Sequence, residues 1–145
     1  MKFFVINGPS INMLGIRETS IYGELSYDSL LKNIKEWAKE LDIEVKCFQS
    51  NVEGELVNFI QDAYFQKADG IIINPAAYTH TSVAILDALK ATNLPTIEVH
   101  ISDVENREDF RKVSFIRNYC ITAIIGEGIE GYHKALIQLK NYLRR

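Results

Sequence analysis

The chain has 145 residues, 47% of them hydrophobic and 24% charged, with a formal net charge of −3 at pH 7. This length suits one domain that buries roughly 70% of the surface exposed by its unfolded chain. Charges of both signs are interleaved, so no basic face indicates a nucleic-acid partner. No apolar stretch approaches the ~20 residues needed to span a bilayer, and the apolar run at 3–6 is too short for a signal peptide. We therefore expect neither nucleic acid nor a membrane as a partner.

Apolar patterning predicts that strands and helices alternate along the whole chain. The predicted strands lie at 2–6, 43–48, around the apolar run 71–73, 95–99 and 121–125. The predicted helices cover 27–41, 53–65, 82–91 and 128–143, with a short turn or helix at 107–110. Such alternation gives βα units, a parallel sheet and right-handed crossovers. Five strands favour an α/β, flavodoxin-like three-layer sandwich with strand order 2-1-3-4-5.

The two cysteines, Cys47 and Cys120, show no metal-ligand spacing, and both fall in strand-like segments. Such a pair is more typical of buried free thiols in a reducing compartment than of a disulfide or a metal site. The expected location is therefore the cytoplasm, and no metal ion is expected.

An unusually long loop follows the first strand. About twenty residues separate this strand from the first helix, where a connector of this type normally has about two to six. Gly15 and Gly23 bracket a segment that carries Arg17 and Tyr22. Glycine-flanked ends are consistent with a loop that opens and closes over a ligand. A solvated arginine and a packing tyrosine remain the alternative at this point.

Polar side chains follow the third strand, where Asn74-Pro75 ends the apolar run. Ligands bind beyond the carboxyl ends of strands in open α/β sheets. One hydroxyl among Thr79, Thr81 and Ser82 can cap the next helix, but the whole polar cluster at 74–82 is denser than a connector needs. The sequence therefore predicts that this stretch forms the floor of an active site.

The loop after the second strand, 49–55, is short and polar. Ser50 or Asn51 is expected to cap the second helix, because either side chain can accept a hydrogen bond from the first turn. A capping role is sufficient to explain both residues.

The fourth strand ends with Glu98 and His100, which are two residues apart and therefore share one face. The carboxylate can hold the imidazole in one tautomer and favour its protonated form, which suits proton donation. A core histidine satisfied by its neighbour is the alternative. The position at the end of a central strand, near Asn74 and His80, favours the functional interpretation.

Two arginines, Arg107 and Arg111, follow this strand. One of them could face an anionic or hydroxylated ligand, while the other lies on the surface. His133, on the last helix, is expected to be exposed and without a function.

Residues 126–131 fit the dinucleotide-binding pattern G-x-G-x-x-G after a strand and before a helix. Only fourteen residues remain after Gly131, so no second strand or ribose-binding acid can follow. A tight turn with close helix packing explains these glycines, and no dinucleotide cofactor is expected.

Several blocks of the sequence together resemble type II 3-dehydroquinate dehydratases. These blocks are 7–9, 12–15, 17–18, 21–23, 49–51, 53–55, 73–75, 77–82 and 98–102. The resemblance spans nearly the whole chain. Four positions depart from the usual family residue: Ser10 replaces Asn, Val52 replaces His, Ala76 replaces Gly and Asp103 replaces Asn. None of the four is a catalytic position of the family.

The resemblance implies that residues 1–145 form a single catalytic domain, which dehydrates 3-dehydroquinate to 3-dehydroshikimate in the shikimate pathway without a cofactor or metal. Tyr22 would remove a proton next to the ketone to give an enolate, with Arg17 stabilising the tyrosinate. His100, paired with Glu98, would protonate the departing hydroxyl. Asn12 would hold a water that hydrogen-bonds the enolate.

The resemblance also implies how the substrate is held and how subunits assemble. The substrate-binding groups would be Asn74, His80, the backbone amides of Ile101 and Ser102, and Arg111. Asp87 would reach the site of an adjacent subunit, because the family forms trimers that associate into a dodecamer.

Two other classes of protein remain as alternatives. A flavodoxin-like flavin-binding protein would share the fold. A receiver-type signalling module would need carboxylates at the end of the first strand, and residues 7–9 read Asn-Gly-Pro instead.

Overall fold

The computed structural model describes residues 1–16 and 25–145, and strands alternate with helices along these ranges. The strands are β1 (Lys2–Asn7), β2 (Glu44–Gln49), β3 (Gly70–Asn74), β4 (Thr96–His100) and β5 (Thr122–Ile125). The helices are α1 (Tyr27–Glu40), α2 (Glu53–Phe65), α3 (Val83–Thr92) and α4 (Glu130–Leu143). All neighbouring strands pair in parallel, in the order β2-β1-β3-β4-β5. The predicted strand order is confirmed, and the predicted bounds agree to within a few residues.

Strand β3 is buried on both faces. In the neighbouring strand β1, successive side chains lie alternately in two hydrophobic cores, one on each side of the sheet. Phe3 and Val5 contribute to the core on the side of α1 and α4, while Phe4 and Ile6 contribute to the core on the side of α2 and α3. The first core includes Leu30, Ile34, Tyr132, Leu136 and Leu139, and the second includes Leu56, Ile60, Ile85 and Leu89. The architecture is therefore the predicted three-layer α/β sandwich. Within the described ranges, no helix combines the length and apolar character required to cross a membrane.

The register of the sheet brings the ends of three strands together. Asn7 at the end of β1 pairs with Asn74 at the end of β3, and Ile73 pairs with Glu98 near the end of β4. The chain order reverses between β1 and β3, so the crevice expected at such a switch point opens beside these residues.

The predicted caps differ in part from the observed ones. Helix α2 begins after Val52, which makes no side-chain cap, so the prediction that Ser50 or Asn51 caps it was wrong. The Ser50 hydroxyl instead accepts a hydrogen bond from the Val52 N–H at 2.9 Å, and the Asn51 side chain accepts one from the Ser10 N–H at 3.0 Å. These bonds order the loop and tie it to the loop after β1. Helix α3 is capped by Ser82, one of the three predicted candidates, whose hydroxyl accepts from the Ile85 N–H.

The glycines after β5 form a turn. Gly126 and Gly128 have φ angles of +76° and +62°, in the left-handed region that favours glycine. A Cβ at Gly131 would lie 3.4 Å from side-chain atoms of Ile124 and Val99, so α4 packs closely on the sheet here. Turn geometry and packing therefore explain the G-x-G-x-x-G pattern.

The two thiols are free. Cys47 lies in β2 and is half-buried, and burial raises its pKa to about 11 although Lys35 opposes the shift. Cys120 is buried just before β5 rather than within the strand. Cys47 is therefore protonated near neutral pH and a weak nucleophile.

Candidate active site

A cavity of about 710 Å³ lies at the carboxyl ends of β1, β3 and β4. Its wall is formed by the loop after β1, the turn after β3 and the segment after β4. Six residues predicted from the sequence line it: Asn74, His80, His100, Ile101, Ser102 and Arg111. The structure thus brings together the polar stretch after β3 and the end of β4, as expected for a site at this edge of the sheet.

The loops after β1 and β3 are in direct backbone contact. The Gly8 N–H donates to the Asn74 carbonyl oxygen at 2.7 Å. A Cβ at Gly8 would lie 2.4 Å from the Pro75 carbonyl oxygen, which is far inside van der Waals contact. Only glycine therefore allows the two loops to approach this closely.

Gly8→Ala is expected to destabilise the protein by about 1–3 kcal/mol, because the added methyl group must displace backbone rather than a flexible side chain. Gly54→Ala is the matched control, since a Cβ at Gly54 in α2 meets nothing within 4 Å. In a helix the control change is neutral or stabilises by up to about 1 kcal/mol. Thermal and denaturant unfolding of both variants measure the difference, and equal stabilities would contradict the assigned contact.

Asn74 joins three elements through a buried hydrogen-bond chain. Its Nδ2 donates to the Tyr132 hydroxyl at 3.1 Å, and that hydroxyl donates to Asn7 Oδ1 at 2.5 Å. The Asn74 Oδ1 accepts from the Ala76 N–H at 3.1 Å. Burial raises the pKa of Tyr132, so its phenol stays protonated and keeps donating. The side chain of Asn74 is thus held in one orientation at the cavity wall.

Glu98 and His100 form a buried pair at the end of β4. Glu98 Oε2 lies 2.5 Å from His100 Nε2, and both side chains are almost completely buried. The second ring nitrogen, Nδ1, is therefore the one that remains to face the cavity that His100 lines. The predicted pairing of these two side chains is present in the structure.

Two further side chains bind the Glu98 carboxylate. Arg117 donates from Nε to Oε1 and from Nη2 to Oε2, each at 3.0 Å, and the Ser114 hydroxyl lies 3.0 Å from both oxygens. Burial alone would raise the pKa of Glu98, but the hydrogen bonds from His100 and Arg117 outweigh it and hold the pKa at about 2. Glu98 is therefore ionised throughout the range in which proteins work.

Backbone donors lie beside His100. Among the described residues, the N–H groups of Ile101 and Ser102 make no hydrogen bond, whereas the carbonyls of His100 and Ile101 accept from Gly126 and Gly128 at 3.1 Å each. The turn after β5 thus binds the carbonyl groups of His100 and Ile101. Within the described part of the chain, these two N–H groups are therefore available to an anion.

Cationic and imidazole groups complete the wall. Both Arg107 and Arg111 line the cavity, and Arg107 is the more exposed of the two, so which of them faces a ligand stays a prediction. Arg111 is held by Glu108 at 2.6 Å and lies over the Phe110 ring at 5.2 Å. His80 Nδ1 lies 2.7 Å from the Val113 carbonyl oxygen, so Nδ1–H donates and Nε2 is left for another partner.

The cavity thus carries the buried Glu98–His100 pair together with arginine side chains, and comparison with known proteins shows the family to which the chain belongs. Residues 1–140 match the family described as dehydroquinase class II. The chain belongs to this family. The 3-dehydroquinate dehydratase of Clostridium perfringens (strain 13 / Type A) is 55% identical over 144 residues, which cover 99% of each chain. That of Fusobacterium nucleatum is 56% identical over 147 residues, covering 100% of each.

Solved structures agree with this family membership. The crystal structure of type II dehydroquinase from Butyrivibrio crossotus has a TM-score of 0.92 and 50% sequence identity, covering 97% of both chains. That from Propionibacterium acnes has a TM-score of 0.87 and 35% identity, covering 97% of this chain and 98% of the other. The alternative of a flavin-binding protein of flavodoxin type is not supported, since the matched family and relatives are dehydroquinases.

Five further site residues were predicted from the sequence: Asn12, Arg17, Tyr22, Asp87 and Glu98. Arg17 and Tyr22 lie outside the described residues. Asn12 stands between the wall residues Ile11 and Met13, and its Oδ1 accepts from Gln49 Nε2 at 3.2 Å. Glu98 lies behind His100.

Asp87 is exposed on α3 and does not line the cavity of its own chain. Within residues 1–16 and 25–145, no cluster of three or more His, Cys, Asp or Glu side chains is placed to hold a metal ion.

Sequence reasoning missed four residues that support this dehydroquinase site: Asn7, Ser114, Arg117 and Tyr132. Tyr132 looked like an ordinary member of the apolar stripe on α4. A buried glutamate at position 98 implies a cationic partner, but three arginines follow it within twenty residues and nothing local distinguishes them. His133 was expected to be exposed and is instead half-buried, stacked on Trp37 at 4.7 Å.

Ala76 occupies a position at which the family usually has glycine, and the backbone shows why. Its φ angle is +53°, in the left-handed region where a Cβ is unfavourable. Ala76→Gly removes about 1–2 kcal/mol of strain, offset by roughly 0.5–1 kcal/mol of extra unfolded-state entropy.

We therefore expect Ala76→Gly to leave stability unchanged or raise it by up to about 1.5 kcal/mol. Ala77→Gly, at the next residue of the same turn, has no positive φ to relieve and should only destabilise. Denaturant unfolding should show that Ala77→Gly lowers the free energy of unfolding, whereas Ala76→Gly leaves it unchanged or raises it. Equal losses would contradict strain at Ala76.

Proposed function

We propose that this chain dehydrates 3-dehydroquinate to 3-dehydroshikimate in the shikimate pathway, as one catalytic domain over residues 1–145. One observation carries the proposal. In a chain of the class II dehydroquinase family, His100 lines the cavity and pairs with the buried carboxylate of Glu98. Relatives that are 55% and 56% identical over essentially the whole chain are named 3-dehydroquinate dehydratase.

The proposed reaction begins with proton removal by Tyr22. The tyrosinate takes a proton from the carbon next to the ketone, and the electron pair of that C–H bond forms an enolate. Arg17 stabilises the tyrosinate, and Asn12 holds a water that hydrogen-bonds the enolate oxygen. After the elimination, Tyr22 releases its proton to solvent and His100 takes one up, so both groups are restored.

The second step is elimination assisted by His100. As the enolate collapses to the conjugated ketone, the C–O bond of the hydroxyl breaks, and His100 protonates the leaving oxygen so that water departs. Because Nε2 is bound to Glu98, the donor is Nδ1, which faces the cavity. Glu98 remains ionised and fixes the tautomer and ring orientation.

The substrate is held by groups that suit a carboxylate with several hydroxyls. The N–H groups of Ile101 and Ser102 bind the carboxylate, in a wall that also carries Arg111. Asn74 and His80 bind hydroxyls from the side of β3. Support comes from their convergence on one cavity and from the absence of other hydrogen bonds to the two N–H groups among the described residues.

The decisive experiment is incubation of the protein with 3-dehydroquinate, followed by the ultraviolet absorbance of the conjugated enone product. We expect the absorbance to rise in proportion to enzyme concentration. No rise at micromolar enzyme would overturn the proposed reaction, and a yellow chromophore retained through purification would favour the flavin-binding alternative.

We further propose a cytoplasmic homo-oligomer in which trimers associate into a dodecamer. Asp87 is exposed on α3 and away from the cavity of its own chain, which suits a side chain that completes the pocket of a neighbouring subunit. The cavity of a single chain would then be incomplete.

Asp87→Ala is accordingly expected to raise KM while leaving the unfolding transition of the protein unchanged. Asp62→Ala, an exposed aspartate on α2, is the matched control and should leave KM as in the wild type. Steady-state kinetics and sedimentation of both variants test the point. A fully active monomer in sedimentation would contradict the shared site.

A further inference from the structure

Glu98 is held from one side by His100 and from the other by a cation that none of the site assignments includes. We propose that Arg117 is a positioning residue, whose guanidinium fixes the Glu98 carboxylate that in turn orients His100. The inference rests on the proposed role of His100 as proton donor, and it assigns that donor a second supporting residue.

The contact between Arg117 and Glu98 fixes the plane of the carboxylate. Two hydrogen bonds, Nε to Oε1 and Nη2 to Oε2, are both 3.0 Å long. A planar fork of this kind matches both carboxylate oxygens at once, which an ammonium group cannot do. Because Oε2 also lies 2.5 Å from His100 Nε2, any rotation of the carboxylate would move the imidazole.

Arg117 is itself held in place by its own segment and by a second acid. Ile116, its neighbour, is buried, and its carbonyl accepts from the N–H groups of Tyr119 and Cys120 at 3.0 Å each. The Tyr119 hydroxyl donates to the Leu94 carbonyl at 2.7 Å. Arg117 Nη1 contacts the exposed Glu105 at 3.2 Å. The guanidinium is therefore anchored independently of Glu98.

Removal of Arg117 would leave a carboxylate in a dry environment with fewer partners. Among residues 1–16 and 25–145, the titratable groups that face Glu98 are His100, Arg117 and the Cys120 thiol, with Glu105 acting through Arg117. Without the guanidinium, burial favours the neutral acid, so a proton can move from the imidazole to the carboxylate. The ring nitrogen of His100 that carries the hydrogen would then no longer be fixed.

A purely stabilising ion pair is the competing interpretation, and a double-mutant cycle separates the two. Arg117→Met should lower kcat by about 10²-fold, as expected for misplacement of a catalytic group, with KM little changed. Arg117→Lys should lose less, because it keeps the charge but not the fork. In a Glu98→Gln background, Arg117→Met should have no further effect on kcat. Lys134→Met, which removes an exposed cation paired with Glu127, is the matched control.

A second readout does not depend on turnover. Nitrogen-15 NMR of labelled histidine reports which ring nitrogen of His100 carries hydrogen, with His100→Ala used to assign the signal. We expect Nε2–H in the wild type and a tautomer mixture in Arg117→Met. The NMR result stands even if the protein does not act on 3-dehydroquinate, so failure of the proposed function is distinguishable.

The proposal is overturned if Arg117→Met lowers kcat as much in the Glu98→Gln background as in the wild type, or if the tautomer of His100 is unchanged. If Arg117→Met does not fold, the same comparison is made with Arg117→Lys. Near-wild-type kcat in both variants also overturns it.

Discussion

His100→Ala is expected to lower kcat by about 10²–10⁴-fold, the usual cost of losing a positioned general acid. The fold should survive, because Glu98 keeps its bonds to Arg117 and Ser114 and is not left as an unpaired buried charge. Substrate affinity should change much less, since the N–H groups proposed to bind the carboxylate are untouched. Steady-state kinetics and circular dichroism provide the measurements.

His133→Ala is the control for this experiment. His133 is half-buried on α4, stacked on Trp37, and does not line the cavity. Its removal should leave kcat and KM near the wild-type values. Turnover of His100→Ala close to that of the wild type would rule out His100 as the acid.

Arg17→Ala is expected to lower kcat far more than it raises KM. An unperturbed tyrosine has a pKa of about 10, so only about one such side chain in a thousand is deprotonated at pH 7, a cost of about 4 kcal/mol. A nearby guanidinium favours the phenolate and lowers that pKa, and it stays charged at every working pH. In the proposed mechanism the rate rises as Tyr22 loses its proton, so loss of Arg17 should move the rising limb of the pH–rate profile to higher pH.

Arg17→Met should behave in the same way, since it keeps the aliphatic stem and removes the charge. Arg144→Met, beyond the end of α4, is the control for loss of one guanidinium and should keep the wild-type profile. If both Arg17 variants retain the wild-type limb, another cation activates Tyr22. Arg111, in the cavity wall, would then be tested next.

The four departures from the usual family residues can now be placed in the fold. Ser10 and Ala76 both have positive φ angles, of 69° and 53°, where asparagine and glycine are better tolerated. Val52 is exposed at the start of α2, and the Asp103 side chain accepts a hydrogen bond from Asn106. Two of the departures thus concern backbone strain in loops around the cavity, rather than groups that carry out the chemistry.

Local sequence patterns were sufficient for the fold and for part of the site. Alternating strand and helix patterns predicted the parallel sheet and its order, because each segment buries its own apolar face regardless of what covers it. The two-residue spacing of Glu98 and His100 placed them on one face of a strand, which is a property of the strand alone. The end of β3 as the floor of the cavity followed from topology.

The tertiary structure decided which distant side chains complete the site. Arg117 rather than Arg107 or Arg111 pairs with Glu98, at a separation of 19 residues. Tyr132 bonds Asn7 across 125 residues. Such partners depend on how α4 and the segment after β4 pack against the sheet, and no local periodicity encodes that packing. A buried polar group requires a partner, but only the arrangement of the assembled layers determines which one lies within hydrogen-bond distance.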